Sequence, residues 1–185
     1  PNARWDIPNR TFAASVRFRS TTGNGQLVRL RATNAGGGWQ IRLTSNALQA
    51  RLYGSTASNV AAQFDSAATT LNDGLWHTAT VVFQTNTTVQ ASNNIALYLD
   101  GQTDLGTVTY PGTDPYVVCP SACALSFGAF NDGAQFHTGA LDDIRIYHRN
   151  IARDAAWVHH TCAPPSACGL LVDEALPLAN LTPTI

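Results

Sequence analysis

The stretch Asn72–Gly101 reads NDGLWHTATVVFQTNTTVQASNNIALYLDG. Its first three residues are turn formers, because Asn, Asp and Gly tolerate the left-handed backbone that tight turns need. Polarity alternates along Trp76–Phe83 and along Ile95–Leu99, which is the period of a half-buried β-strand. Asp100-Gly101 is a hairpin turn signal. The stretch therefore predicts two β-strands that are separated by a polar loop.

The same alternation recurs along the chain between turn residues. It predicts further strands at Arg10–Arg19, Gln26–Ala32, Trp39–Thr44, Leu48–Tyr53, Val60–Phe64, Leu105–Tyr110, Leu125–Ala129 and Ala140–Tyr147. About ten to twelve short strands with regularly spaced turns indicate an all-β fold of two packed antiparallel sheets. Residues Ile151–His159 have helical spacing, and we expect one short C-terminal helix there.

Two separated motifs carry a resemblance to a known family. The first is Gly74-Leu-Trp-His77 followed by Leu97-Tyr-Leu-Asp-Gly101, and the second is GALDDIRIY at Gly139–Tyr147. Together they resemble the laminin-G-like jelly rolls of the concanavalin A-like lectin/glucanase superfamily. The resemblance covers roughly Phe12–Trp157 and implies a jelly-roll sandwich. We expect this domain to span residues 1–160 and to be followed by a disulfide-stapled, extended tail at 161–185.

Composition narrows the classes of function. The 185 residues carry 12% charged side chains and a net charge of −1, which argues against nucleic acid as a partner. All 11 basic residues are arginine, so lysine chemistry is excluded. No apolar run approaches the roughly 20 residues that a membrane-spanning helix needs. Because methionine is absent, Pro1 is not an initiator, and a removed secretory signal or a cleaved tag would explain the start.

Four cysteines form two close pairs, Cys119 with Cys123 and Cys162 with Cys168. Zinc is the competing interpretation, but structural zinc sites use tighter knuckles with further ligands. Two local disulfides are therefore expected, and they indicate an oxidising, extracellular or cell-surface location.

His77 and Asp142 are the sharpest ionisable candidates. By parity, each shares a strand face with apolar neighbours, so each is expected to point toward the core, where a titratable group must be paired or neutral. A catalytic dyad is one interpretation. The resemblance favours the other, a buried hydrogen-bonded pair that fixes the sheet register.

Glycoside hydrolysis needs two carboxylates across the scissile bond. The only glutamate, Glu174, lies in the tail, and the neighbouring Asp142 and Asp143 are expected on opposite faces of a strand. We therefore expect no enzymatic activity.

Sugar binding requires exposed aromatic rings beside polar groups. The candidates are Trp39, which follows a run of three glycines, together with Tyr53, Tyr98 and Trp5. Trp39 has the alternative role of capping the core, because it shares a face with Ile41 and Leu43.

Calcium is common in folds of the family that the chain resembles, and it is the only candidate cofactor. Hard oxygen ligands could come from Asp100, Asp114, Asn131 and Asp132. They have no dense D-x-D-x-D spacing, so a calcium site would have to be assembled across loops.

The tail at 169–185 contains seven large apolar residues and two prolines, which favour an extended edge-type course. It could dock on its own domain or on a neighbouring copy by strand addition. The sequence thus predicts an extracellular, non-catalytic binding or adhesion module for a glycan or surface ligand. The alternative is a structural subunit of an extracellular filament or surface assembly, linked through this tail.

Overall fold

The computed structural model describes residues 8–31, 36–119, 123–129 and 135–147. Within these ranges the chain forms eleven β-strands and one short 3-10 turn at Gln90–Ser92. The strands are β1 Thr11–Ser20, β2 Gly25–Arg31, β3 Trp39–Thr44, β4 Ala47–Tyr53, β5 Val60–Asp65, β6 Trp76–Gln84, β7 Asn94–Leu99, β8 Gln102–Thr103, β9 Thr107–Thr109, β10 Ala124–Phe127 and β11 Gly139–Tyr147.

These strands build two antiparallel sheets that pack face to face. The five-stranded sheet has the order β11-β1-β6-β7-β8, and the six-stranded sheet has the order β10-β2-β3-β4-β5-β9. Alternate residues of both sheets enter one continuous apolar core, at whose centre lie the rings of Phe12, Trp39 and Phe83. The predicted all-β jelly-roll sandwich is confirmed.

The predicted hairpin turn at Asp100-Gly101 is also confirmed, and a second turn of the same kind joins β3 to β4. Ser45 and Asn46 join β3 to β4 with φ values of 51° and 67°, and Asp100 and Gly101 join β7 to β8 with φ values of 50° and 78°. Two consecutive positive φ values are those of a type I′ turn, whose twist matches that of the flanking strands. The strand β9 is shorter than predicted, and Leu105, expected at its start, is exposed.

A β-bulge in β11 overturns the predicted pairing of His77 with Asp142. The register between β1 and β11 shifts between Ser15 and Arg17, and Asp143 has a φ of 45°. A bulge inserts one extra residue and so reverses the inside–outside alternation beyond it. Asp142 therefore points outward with its register partner Arg17, which lies 3.6 Å away, and its side chain is 56% exposed.

Several predictions fall outside the described residues. They concern the helix at Ile151–His159, the Cys162–Cys168 pair, Trp5 and the tail at 169–185, and they stay predictions. The disulfide between Cys119 and Cys123 is formed. In the described part of the chain, no helix is long and apolar enough to span a bilayer.

Candidate functional site

A depression of about 320 Å³ opens where β1 leads into β2, and we call this end of the sandwich the β1–β2 end. The depression itself is called the Phe136 depression. Its described lining consists of Asn24, Gly25, Arg42, Leu43, Thr44, Gln135 and Phe136. Its volume falls at the lower end of the range of small-molecule sites.

Backbone hydrogen bonds hold the segment that carries Phe136 against β2. The backbone N–H of Gln26 donates to the carbonyl oxygen of Gln135 at 3.1 Å, and the N–H of His137 donates to that of Gly128 at 2.7 Å. The segment passes so close to Gly25 that a Cβ there would lie 2.8 Å from the Cα of His137. These bonds hold the backbone of the segment on both sides of Phe136. Phe136 itself is 65% exposed.

The depression combines an exposed aromatic ring with several hydrogen-bonding groups. Asn24 and Gln135 supply amides, Thr44 supplies a hydroxyl, and Arg42 supplies the only charge among the described lining residues. A pyranose ring offers an apolar face to an aromatic ring and hydroxyls to polar groups, so this set of groups suits a sugar. The described lining contains no carboxylate, which hydrolysis of a glycosidic bond would need.

Arg42 also belongs to the outer face of the six-stranded sheet, where polar side chains lie in register. One row of register partners on this face crosses four neighbouring strands, from Arg29 through Gln40 and Arg51 to Gln63. The pKa of Arg42 is lowered, first by burial of its guanidinium and then by the positive charge of Arg51. The face therefore gathers several cations in a chain whose net charge is −1.

The expectation that Trp39 forms an exposed sugar platform is wrong. Its side chain is 0% exposed, and its ring centroid lies 5.5 Å from those of both Phe12 and Phe83. Trp39 shares the inward face of β3 with Ile41 and Leu43, so its other predicted role, in the core, is the one observed.

The two predicted tyrosines do not flank the Phe136 depression. Tyr53 is buried on the outer face of the six-stranded sheet, and the Arg31 guanidinium lies 3.5 Å from its ring centroid. Tyr98 is half-buried on the opposite sheet beside Val82 and Tyr147. A ligand-binding role for Tyr98 stays a prediction.

The predicted calcium ligands that the structure describes lie at opposite ends of the sandwich. Asp100 follows β7 at the β1–β2 end, where it accepts hydrogen bonds from His77 and from the backbone N–H of Thr78. Asp114 lies beyond the other end of β4 and accepts a hydrogen bond from the Ser55 hydroxyl, which is the main cause of its lowered pKa. The two carboxylates therefore cannot share one ion.

Asn131 and Asp132, the other predicted calcium ligands, lie outside the described residues. Among those described, no group of three or more His, Cys, Asp or Glu side chains could hold a metal.

A second depression, of about 310 Å³, lies at the opposite end of the sandwich. Its lining includes Arg10, Gln84, Thr85 and Asn86, and no aromatic ring is among its described residues. It offers hydrogen bonds without a stacking surface, so the Phe136 depression is the better candidate for a sugar site.

Sequence reasoning missed Phe136 because no local pattern marks it. The residue follows β10 in a segment without alternation of polar and apolar residues. Its exposed ring comes to lie beside Arg42 only because that segment contacts β2. The polar side chains of this face did leave a signal, because Gln40 and Arg42 in β3, and Gln49 and Arg51 in β4, lie two positions apart. That period marks the outward face of both strands.

The fold of this chain is similar to that of several domains in solved structures. The sialidase CBM40 of Ruminococcus gnavus, bound to α2,3 sialyllactose, superimposes with a TM-score of 0.56 at 11% identity, covering 82% of this chain and 83% of that one. The LG1–3 region of the laminin α2 chain gives 0.55 at 11% identity, covering 78% of this chain and 29% of that one. The binding domain of botulinum neurotoxin DC, in complex with SialylT, gives 0.54 at 16% identity, covering 86% and 36%. Likenesses at this level of identity concern the fold alone.

No curated protein matches the sequence significantly. A laminin G family model, described as the concanavalin A-like lectin/glucanases superfamily, matches residues 1–159. That match spans more than half of the chain and agrees with both the sheet order and the likeness to laminin and carbohydrate-binding domains. The chain therefore belongs to the concanavalin A-like lectin/glucanases superfamily.

Proposed function

We propose that this protein is a non-catalytic carbohydrate-binding module and that the sugar binds in the Phe136 depression. The observation that carries the proposal is the exposed Phe136 ring beside the side chains of Asn24, Thr44 and Arg42. Stacking on the ring would supply affinity, and the polar groups would orient the hydroxyls.

Two structural neighbours support a glycan as the ligand class. The CBM40 domain is described in complex with sialyllactose, and the neurotoxin binding domain in complex with SialylT. The fold by itself does not select a ligand, because the same sandwich can host unrelated functions. The residues that line the depression therefore have to support the proposal.

An extracellular location fits this role. The Cys119–Cys123 disulfide is typical of proteins that mature in an oxidising compartment. We extend the proposal to adhesion through the bound glycan. Calcium binding and filament assembly through residues 169–185 depend on segments outside the described residues, and they stay predictions from the sequence.

A glycan array tests the proposal. Wild-type protein and two variants, Phe136→Ala and Leu105→Ala, are applied with calcium and with chelator. We expect saturable binding by the wild type, loss of binding in Phe136→Ala, and no change in Leu105→Ala, which also removes a highly exposed apolar side chain. An array without any binding, or equal binding by Phe136→Ala, would count against the proposal.

A further inference from the structure

Five side chains on the outer face of the six-stranded sheet form a branched hydrogen-bond network, which we call the arginine fork. At its centre, Asp65 accepts from Gln49 Nε2 at 2.6 Å through Oδ1 and from Gln63 Nε2 at 2.7 Å through Oδ2. Each glutamine in turn accepts from an arginine. Arg42 Nε donates to Gln49 at 2.8 Å, and Arg51 Nε donates to Gln63 at 2.7 Å.

This arrangement orients two guanidinium groups around a single carboxylate, so the network keeps a net positive charge. Both oxygens of Asp65 accept hydrogen bonds from glutamine amides, so the carboxylate is linked to the arginines by hydrogen bonds only through the two glutamines, although its charge also acts on Arg42. Each arginine is fixed through its Nε atom, and its two Nη groups form no hydrogen bond with the described residues. In the described part of the chain, neither Arg42 nor Arg51 forms an ion pair.

The two arginines of the fork are close enough to influence each other. Arg42 pairs with Gln49 across β3 and β4, and Arg51 lies two residues further along β4 on the same face. Diagonal neighbours of this kind have Cα atoms about 7–8 Å apart, within reach of long side chains. The lowered pKa of Arg42, to which Arg51 contributes, agrees with this proximity. An anion placed between them would relieve the repulsion.

Arg42 connects the fork to the Phe136 depression, because it also lines that depression. A ligand on the Phe136 ring would therefore have a guanidinium beside it. Next to Arg51 in the register, Gln40 is 1% exposed, and its Oε1 atom has no hydrogen-bond partner among the described residues. Because Gln40 is buried, a ligand on this face would contact the two arginines and not Gln40.

We propose that the sugar bound by this protein is acidic and that Arg42 and Arg51 together bind its carboxylate or sulfate group. This inference rests on the proposed function and adds the ligand's charge to it. Preorganised guanidinium groups bind such planar or tetrahedral oxyanions through paired, charge-assisted hydrogen bonds. A neutral sugar would leave the two partly buried cations with only the single negative charge of Asp65 between them.

The test is a set of titrations with lactose, 3′-sialyllactose and 3′-sulfolactose, in which binding is measured by NMR. The first sugar is neutral, the second carries a carboxylate and the third a sulfate. We expect at least one acidic sugar to bind about tenfold or more tightly than lactose, since charge-assisted hydrogen bonds of this kind supply at least that factor. The preferred acidic sugar identifies the anionic group. Added salt should weaken binding of the acidic sugar but not of lactose.

Arg42→Gln and Arg51→Gln should each reduce acidic-sugar affinity to about that of lactose, whereas Arg10→Gln, at the second depression, should have no effect. Thermal unfolding checks that each variant is folded. If a variant does not fold, the salt dependence of the wild type decides. Equal affinity for all three sugars would overturn this inference and leave the proposed function intact. Binding of none of them, with an empty glycan array, would overturn both.

Discussion

The Nδ1 atom of His77 lies 2.7 Å from Oδ2 of Asp100, and its Nε2 atom lies 3.2 Å from Oδ1 of Asp73. The imidazole thereby connects the start of β6 to the turn before it and to the hairpin after β7. Its side chain is only 13% exposed and packs against Phe18. When both nitrogens are protonated, His77 can donate to both carboxylates.

The first prediction concerns the pH dependence of this contact. The pKa of His77 is raised above its ordinary value of 6.5, mainly by the hydrogen bond to Asp100. The contact therefore stabilises the fold fully below about pH 6.5, and its contribution is lost as the pH rises through the higher folded-state pKa. At pH 5.5 we expect His77→Gln to lose about 1–2 kcal/mol of unfolding free energy, and less at pH 9. A loss that is constant with pH would contradict this account.

His137 provides the control for that measurement. Its pKa is lowered, chiefly by burial, so its neutral form is favoured in the folded protein. His137→Gln should therefore differ from the wild type with the opposite pH slope. Chemical denaturation of the wild type and both variants between pH 5 and pH 9 separates the two contributions, which overlap in the wild-type curve.

The second prediction distinguishes the core role of Trp39 from a binding role. Trp39→Ala removes a fully buried ring that packs against Phe12 and Phe83, and we expect it to lower the unfolding free energy by about 3–5 kcal/mol. Trp76→Ala is the matched control. Trp76 lies on an outer sheet face, with the Arg17 guanidinium 4.6 Å from its ring, and we expect a loss of about 1 kcal/mol. Denaturant titrations measure both losses, and a folded, fully stable Trp39→Ala protein would refute the assignment.

The third prediction concerns Gly25, over which the segment carrying Phe136 passes. A Cβ at this position would lie 2.8 Å from the Cα of His137 and 3.1 Å from the carbonyl oxygen of Phe136. We expect Gly25→Ala to displace the segment, to destabilise the fold by about 1–3 kcal/mol and to weaken sugar binding.

Gly74→Ala controls for the loss of a glycine. Gly74 has a φ of 80°, but among the described residues a Cβ there would meet only the Cγ2 atom of Thr21, at 3.8 Å. We expect it to cost about 1 kcal/mol of backbone strain and to leave binding unchanged. Unfolding curves and sugar titrations of both variants make the comparison. Unchanged binding by Gly25→Ala would separate the Phe136 segment from the site.

Most of the fold could be predicted from the sequence, because one face of each long strand is buried and the alternation survives in the residues. Trp76–Phe83 and Ile95–Leu99 lie within β6 and β7, where the pattern placed them. The bulge at Asp143 could not be predicted, because a single inserted residue is visible only against its partner strand. That one residue reversed the predicted orientation of Asp142 and removed the pair with His77.

The candidate site was much less predictable than the fold. Alternation correctly places Trp39 and Gln40 on opposite faces of β3, but it cannot show which outward residues meet across strands. The arginine fork depends on the register of β3, β4 and β5, and the Phe136 depression depends on a segment about a hundred residues from β2. Both are non-local juxtapositions, and neither produces a motif in the sequence.

The most direct test of a sugar site at the Phe136 depression is a pair of ¹⁵N–¹H NMR titrations of the uniformly labelled protein, one with 3′-sialyllactose and one with lactose. We predict saturable shifts with at least one sugar, concentrated in the backbone amides of Asn24, Gly25, Thr44, Gln135 and Phe136. Shifts concentrated instead around Arg10 and Asn86, at the opposite end of the sandwich, would contradict the assignment of the site. No shift with either sugar, together with an empty glycan array, would contradict carbohydrate binding by this protein.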